Sequence, residues 1–500
     1  MKKRLVSVLL LVCLLLGGCS ARRSALTPAP AVSLPTPPAE DFHAPIGDVA
    51  LGYTAAAALC LPSSGDQQLL TVCETLSFTY SLHPAETILR ALLAHPGNDR
   101  LRAASSRTLV PAGSDPVEVS GSVATVNLSA AALDVPREEL HTVCRAITAT
   151  LCQLPDVDYV NVLVAGVPVA MDEAGYLPLG AITAQPGQEL PVLWEQLQAR
   201  RVPEGTLPTA AALTAAVTLY FPLADGSGIV PETRRIAFSG QHPQQLVTGL
   251  LEALSANAEN LPEAAGFPPL HQLMLSAPEV TPLPDGALRV TLRFTGDLRS
   301  WLTASGADPA CAFAAIVTTL TTFVPGLREV CIFTGERGVT SVACPAHGSR
   351  LFPDAIHTRA AYSGYLQTLC TVYGASGSTL TPMTVSLPYR SIYSPRALLL
   401  SLPAGDAPHA VLPEPIADSD VLGLAIDGDA LTINLSARYA DVLRQHPDEQ
   451  RLIAYAIVNT MCRGLDIRRV RFCFDSTVIS SLGGDVLWSG DFLYAPGLIR

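Results

Sequence analysis

The stretch VTLYFPLADGSGIVPETRRI, residues 217–236, sets an acid and two glycines, Asp225-Gly226-Ser227-Gly228, between two alternating apolar runs. Acid-glycine loops of this kind can hold a cation or a phosphate. A calcium loop needs oxygen ligands at alternating positions and a closing glutamate, and only Asp225 precedes the glycine here. A phosphate nest needs a helix N-terminus directly after the glycines, whereas IVPETRRI reads as a strand. The loop is therefore expected to be a turn whose glycines tolerate positive φ. Glu232 and Arg234 alternate on one face of the following strand, placed to pair with each other or to dock onto a neighbouring domain.

The other reactive side chains form no recognisable constellation. The ten histidines are scattered, with no HExxH and no GxSxG. The cysteines show no CxxC and no Cys/His clustering read as zinc spacing, so buried free thiols acting as small hydrophobes are expected, with some disulfides left open. Cys144 and Cys152 lie two helical turns apart, about 12 Å, too far to bridge. Glu138 and Glu139 open a helix, where the dipole favours them. After Lys3 the chain has no lysine. This excludes a P-loop, Schiff-base chemistry and Ser-Lys chemistry. Neither a catalytic centre, nor a cofactor, nor a metal site is expected.

The ends of the chain are informative in a different way. Lys2, Lys3 and Arg4 precede an apolar run from Leu5 to Leu16 that ends in LGGC, with Cys19 as its cysteine. This pattern is similar to a lipoprotein signal peptide over residues 1–18, and it implies cleavage before Cys19 and acylation there. The composition gives a net charge of −12, and removal of the three N-terminal cations takes it to −15. That argues against nucleic acid or an anionic membrane surface as a general partner. Residues 19–48 are Pro/Ala-rich and read as an extended tether.

The remainder repeats itself. The hexads AITATL (146–151), AIVTTL (315–320) and AIVNTM (456–461) each sit on a helical pattern. A strand beginning at Val160, Val330 or Val470 follows each one. An alternating hairpin precedes each hexad, and a shorter helix opened by His83-Pro84, His242-Pro243 or Ser394-Pro395 precedes each hairpin. The expected fold is therefore α+β, in three tandem domains at 49–182, 214–343 and 361–500, each a small mixed sheet with two helices on one face. The breaks near 183–213 and 344–361 are expected to be protease-sensitive links. The hexad threonine is expected to bond back one turn along its own helix. Arg468, Arg469 and Arg471 beside the last strand are candidates for meeting an acidic partner surface.

With the unit laid out, the chain resembles the GerMN domain, the sporulation and spore germination domain of GerM lipoproteins. The second repeat carries the front signature, Tyr220-Phe221-Pro222, Asp225-Gly226 and Val230-Pro231-Glu232-Thr233-Arg234. The first carries GSVATVNLS and LPDVDYVNVLVAG; the third carries DGDALTINLS and SGDFLYAPGLI. The resemblance implies a fold similar to the ring-building domains of secretion systems. It also implies a non-enzymatic, membrane-anchored extracytoplasmic scaffold with envelope or sporulation-complex partners. The chain departs from that pattern in carrying three repeats rather than two, and in lacking YFP…PETR in the first and third. A cell-wall hydrolase accessory or a solute-binding lipoprotein is the alternative function.

Overall fold

The computed structural model describes residues 44–49, 52–65, 68–79, 82–113, 116–120, 122–169, 213–240, 242–389, 391, 394–465 and 467–500. The signal-peptide pattern, Cys19, most of the tether and nearly all of the link at 183–213 lie outside them. The described chain divides into two compact units, one of residues 50–370 with 385–394, the other of 371–384 and 395–500 with the N-terminal segment up to Val49.

The larger unit contains two copies of one α+β motif, and each opens on a long antiparallel hairpin. In the first copy, Gly52–Pro62 pairs with Leu69–Thr79; in the second, Leu213–Pro222 pairs with Ile229–Phe238. A short helix follows: α1 (Pro84–Ala94) in the first copy. Proline at N1 suits a helix start, because its missing N–H is one of the unpaired donors anyway, and the His83 side chain accepts from Ala85 N at 3.1 Å. The first copy then forms a mixed sheet. Val117–Ser120 runs antiparallel to Val123–Leu128, which runs parallel to Tyr159–Val164, which turns back into Val167–Pro168. The crossover between the parallel strands is α2 (Arg137–Leu151).

The second copy repeats this order. It has α3 (Pro243–Ser255), a Glu279–Pro282/Leu288–Phe294 hairpin, a short α4 (Leu298–Ala304), the crossover α5 (Pro309–Phe323) and the parallel strand Leu327–Thr334. Every residue of α5 from Ala310 to Phe323 is buried. A helix buried all round has no need of a polar face, and its sequence, PACAFAAIVTTLTTF, supplies none. The two copies have separate hydrophobic cores, one around Leu59, Leu89, Ile147 and Val162, the other around Phe221, Leu250, Ile316 and Ile332.

Residues 344–361, expected to be a link, are instead packed. Ser341–Cys344 forms a hairpin with Gly348–Leu351, and Ile356–His357 adds an antiparallel strand to Leu327–Thr334. Phe352 and Tyr362 belong to the second core, and His357 is buried. The Pro, Gly and Ser content of this stretch serves turns rather than an open linker.

In the smaller unit, α6 (Pro395–Leu400) precedes the hairpin Val421–Asp427/Ala430–Leu435. α7 (Ala437–Gln445) and α8 (Gln450–Gly464) lead to the parallel strand Arg469–Phe474 and the closing strand Phe492–Leu493. Gly47–Val49 joins this sheet at its other edge, parallel to Gly423–Ala425. The Pro45 carbonyl accepts from Asn434 Nδ2 at 2.8 Å, and Arg396 grips Asp48 through two nitrogens at 2.8 Å each. The last residues of the expected tether are thus built into a sheet.

Candidate functional site

The hexad threonine does one job in all three repeats, and it is not the expected one. Thr150 Oγ1 accepts from Cys60 N at 2.9 Å, Thr319 Oγ1 from Tyr220 N at 3.0 Å, and Thr460 Oγ1 from Tyr373 N at 3.1 Å. Each donor lies in the opening strand of its repeat, which for Tyr373 is Gln367–Ser376, and each threonine is buried. A strand N–H buried beneath a helix must find an acceptor; the threonine supplies it and fixes the helix against the strand. The back-bond to the preceding turn is made instead by neighbours, Thr148 to Cys144 O at 2.8 Å and Thr322 to Thr318 O at 2.6 Å.

The candidate surface residues are placed unequally. Glu232 and Arg234 pair with each other at 2.8 Å and are both largely buried. Glu232 also accepts from Glu259 N at 3.1 Å, and the Arg234 guanidinium lies over the Phe221 ring at 5.2 Å. They hold the second hairpin to the segment after α3 and offer no free face. Arg471, 11 % exposed, donates to the 5 % exposed Asp491. Arg469, which is more exposed, pairs with Asp429 and reaches Asp491 at 3.4 Å. Of the three arginines Arg468 is the exposed one.

The first and second repeats meet within the larger unit through buried polar groups. Arg359 Nη2 donates to Glu118 Oε2 at 2.9 Å, and the Tyr220 hydroxyl donates to Glu118 Oε1 at 2.9 Å. Arg359 also donates to Thr322 Oγ1. From the segment 385–394 of the same unit, the Tyr389 hydroxyl donates to Val117 O at 3.0 Å and accepts from Val119 N at 2.7 Å. Asn161 Nδ2 donates to Thr322 O at 3.0 Å. Burial, with the Glu118 carboxylate beside it, pushes the Tyr220 phenol up, so it stays a donor at any physiological pH. A cavity of about 290 Å³ lies alongside, lined by Glu118, Asn127, Arg359 and Tyr389 among others. That is the low end of ligand-sized pockets, and its charged groups already neutralise each other.

The Asp225–Gly228 loop is a turn, with Asp225 Oδ1 accepting from Ser227 N at 2.8 Å and Gly226 at φ +71°. At Gly228 a Cβ would stand 2.2 Å from the Tyr365 carbonyl oxygen, so only glycine fits. Sequence reasoning missed what lies beneath it. The Gly226 carbonyl accepts from the Cys311 thiol at 3.4 Å and from the Cys344 thiol at 3.5 Å. The two sulfurs are 3.9 Å apart, and the Asp308 carboxylate lies within 4.8 Å of both. Asp308 also caps α5, accepting from Ala310 N at 2.9 Å and Cys311 N at 3.1 Å. His347 Nε2 meets Ser227 O at 2.8 Å. Asp308, Cys311 and Cys344 are the residues that could hold a metal. The signal was present as Asp308-Pro-Ala-Cys311 and Cys344-Pro-Ala-His347, each with two residues between potential ligands.

Residues 64–170 match the family model Germane, described as sporulation and spore germination. A comparison with curated protein sequences returned no match. Among solved structures, the chain is similar to the tandem GerMN domains of the sporulation protein GerM from Bacillus subtilis, at 18 % identity and a TM-score of 0.21, covering 57 % of this chain and 92 % of that one. The first GerMN domain of the same protein matches at 18 % identity and a TM-score of 0.20, covering 26 % and 94 %. A putative lipoprotein from Clostridium perfringens matches at 18 % identity and a TM-score of 0.16, covering 24 % and 75 %.

Proposed function

We propose, from the match of residues 64–170 to the sporulation and spore germination family model, that the chain is a non-enzymatic scaffold of the cell envelope, lipid-anchored through Cys19. Its partners in this reading are extracytoplasmic proteins of a sporulation or germination complex, recognised through repeat faces. The observation that carries the proposal is the junction between the first and second repeats. There one repeat face accepts a neighbour by burying a matched ion pair, Glu118–Arg359, with hydrogen bonds from Tyr220 and Tyr389. A buried pair of this kind specifies a partner more than it strengthens the contact. The same mode, repeated between chains, builds an assembly. What recurs among the repeats, Thr150, Thr319 and Thr460 with Ile147, Ile316 and Ile457, is structural.

The test is crosslinking of the tagged full chain in membranes of sporulating cells, followed by identification of the adducts. Discrete envelope-protein adducts should appear, and they should vanish when Cys19→Ala releases the chain from the membrane. Arg468→Glu, on an exposed residue, should alter the adducts without altering the fold. Cleavage of peptidoglycan by the purified chain, or stoichiometric and saturable solute binding, would replace this reading with the hydrolase or receptor alternative.

A further inference from the structure

We propose that Asp308, Cys311 and Cys344 form a binding site for a zinc-class divalent cation, roofed by the Asp225–Gly228 loop. Thiolates bound to one zinc at about 2.3 Å and tetrahedral angles stand roughly 3.8 Å apart. Cys311 Sγ and Cys344 Sγ are 3.9 Å apart. A disulfide would require the same atoms to close to about 2.05 Å. The third ligand is in place, since the Asp308 carboxylate lies within 4.8 Å of both sulfurs.

Position and surroundings support the same assignment. Cys311 lies in the first turn of α5. Cys344 ends a strand from a different part of the chain. The cysteines are 0 % and 2 % exposed, and both thiols point at a single carbonyl oxygen, that of Gly226. That oxygen, or a water, is available for the fourth position. Soft and borderline donors with one carboxylate select zinc over magnesium or calcium. The closeness of Gly228 to the Tyr365 carbonyl keeps the roof down. A metal here acts as a staple, tying the helix start to the hairpin at 341–351.

The step balances simply. One divalent cation enters, the two thiols become metal-bound thiolates, and two protons leave to solvent.

The test uses the full mature chain, purified under reducing conditions, stripped with a chelator and titrated with Zn²⁺ against a chromophoric competitor. The expected result is one zinc per chain, a higher melting temperature with zinc, and a thiolate-to-metal charge-transfer band when Co²⁺ replaces it. Cys344→Ser should abolish that band, while Cys370→Ser should keep it. Should Cys344→Ser fail to fold, Asp308→Asn serves instead. It preserves the helix cap but removes the anionic ligand, and affinity should drop at least tenfold. Three results would overturn the proposal: no zinc bound with the thiols reduced, binding indifferent to these substitutions, or a Cys311–Cys344 disulfide in protein taken directly from its native envelope.

Discussion

The second and third repeats are built on one frame and filled differently. In both, a crossover helix links two parallel strands, a buried threonine fixes that helix to the opening strand, and a short antiparallel strand closes the sheet edge. Register makes the comparison sharp. Val330 pairs with His357 in the second repeat, and Val470 pairs with Phe492 in the third. His357 therefore occupies the place of a core phenylalanine. It stacks on Phe352 at 4.0 Å, while Phe492 meets Phe472 edge-on at 5.1 Å. The start of the crossover helix differs as well. In the third repeat Gln450 donates to Leu443 O at 2.8 Å and Leu482 O at 3.1 Å and accepts from Trp488 Nε1 at 3.1 Å. In the second, the corresponding helix start carries Asp308 and Cys311 beside Cys344. The frame is thus common to the two repeats, whereas His357 and the Asp308, Cys311 and Cys344 cluster of the second have Phe492 and Gln450 in the corresponding places of the third.

The largest effect should come from charge reversal in the third sheet. Arg471→Glu would set a second carboxylate against the buried Asp491. Loss of a buried partner costs about 3 to 5 kcal/mol, so urea unfolding should show a lowered midpoint or an unfolded chain. Arg471 is therefore not the innocuous surface probe that its sequence context suggested, and unchanged stability would break the account of this sheet.

Next in size is the acid sensitivity that His357 gives the second repeat. His357 Nδ1 accepts from the Tyr362 hydroxyl at 2.8 Å and Nε2–H donates to Val339 O at 3.0 Å, so the ring is held neutral. Burial pushes its pKa from 6.5 down to about 4. Between those values the unfolded chain binds a proton that the folded chain does not. Stability from this residue is therefore complete above pH 6.5 and is lost as pH falls toward 4. A shift of this size corresponds to about 3 kcal/mol. His357→Phe, which copies the third repeat, should remove that part of the pH dependence; the difference between the two unfolding profiles measures it.

The smallest effect should be at Arg469, whose nearer partner Asp429 is well exposed and which reaches Asp491 only at 3.4 Å. Arg469→Ala should cost less than about 1 kcal/mol. The contrast with Arg471, two residues away on the same strand, sharpens the distinction between frame and surface. A loss as large as that of Arg471→Glu would erase it.

Much of the frame was legible because its causes are local. The aliphatic alternation from Leu422 to Leu435 and the 3-4 spacing around Ile147 specify a sheet and a helix before any tertiary contact forms. The proline-opened helices were legible for the same reason. The site chemistry was not. Cys311 and Cys344 are 33 residues apart and become neighbours only through the fold, although Cys344-Pro-Ala-His347 was a fair signal. The packed stretch at 344–361 was misread because proline and glycine mark turns inside a domain as well as links between domains. Thr319 was recognised as structural, but its acceptor role toward Tyr220, 99 residues away, is visible only in three dimensions.

Replacing Thr150, Thr319 and Thr460 singly with valine and measuring unfolding free energies shows whether the three repeats share one frame. Valine keeps the shape and removes the acceptor, which strands a buried N–H at a cost of about 1 to 3 kcal/mol. Comparable losses are expected at all three positions, with serine restoring most of each. A loss at one position with no change at the other two would contradict a shared frame.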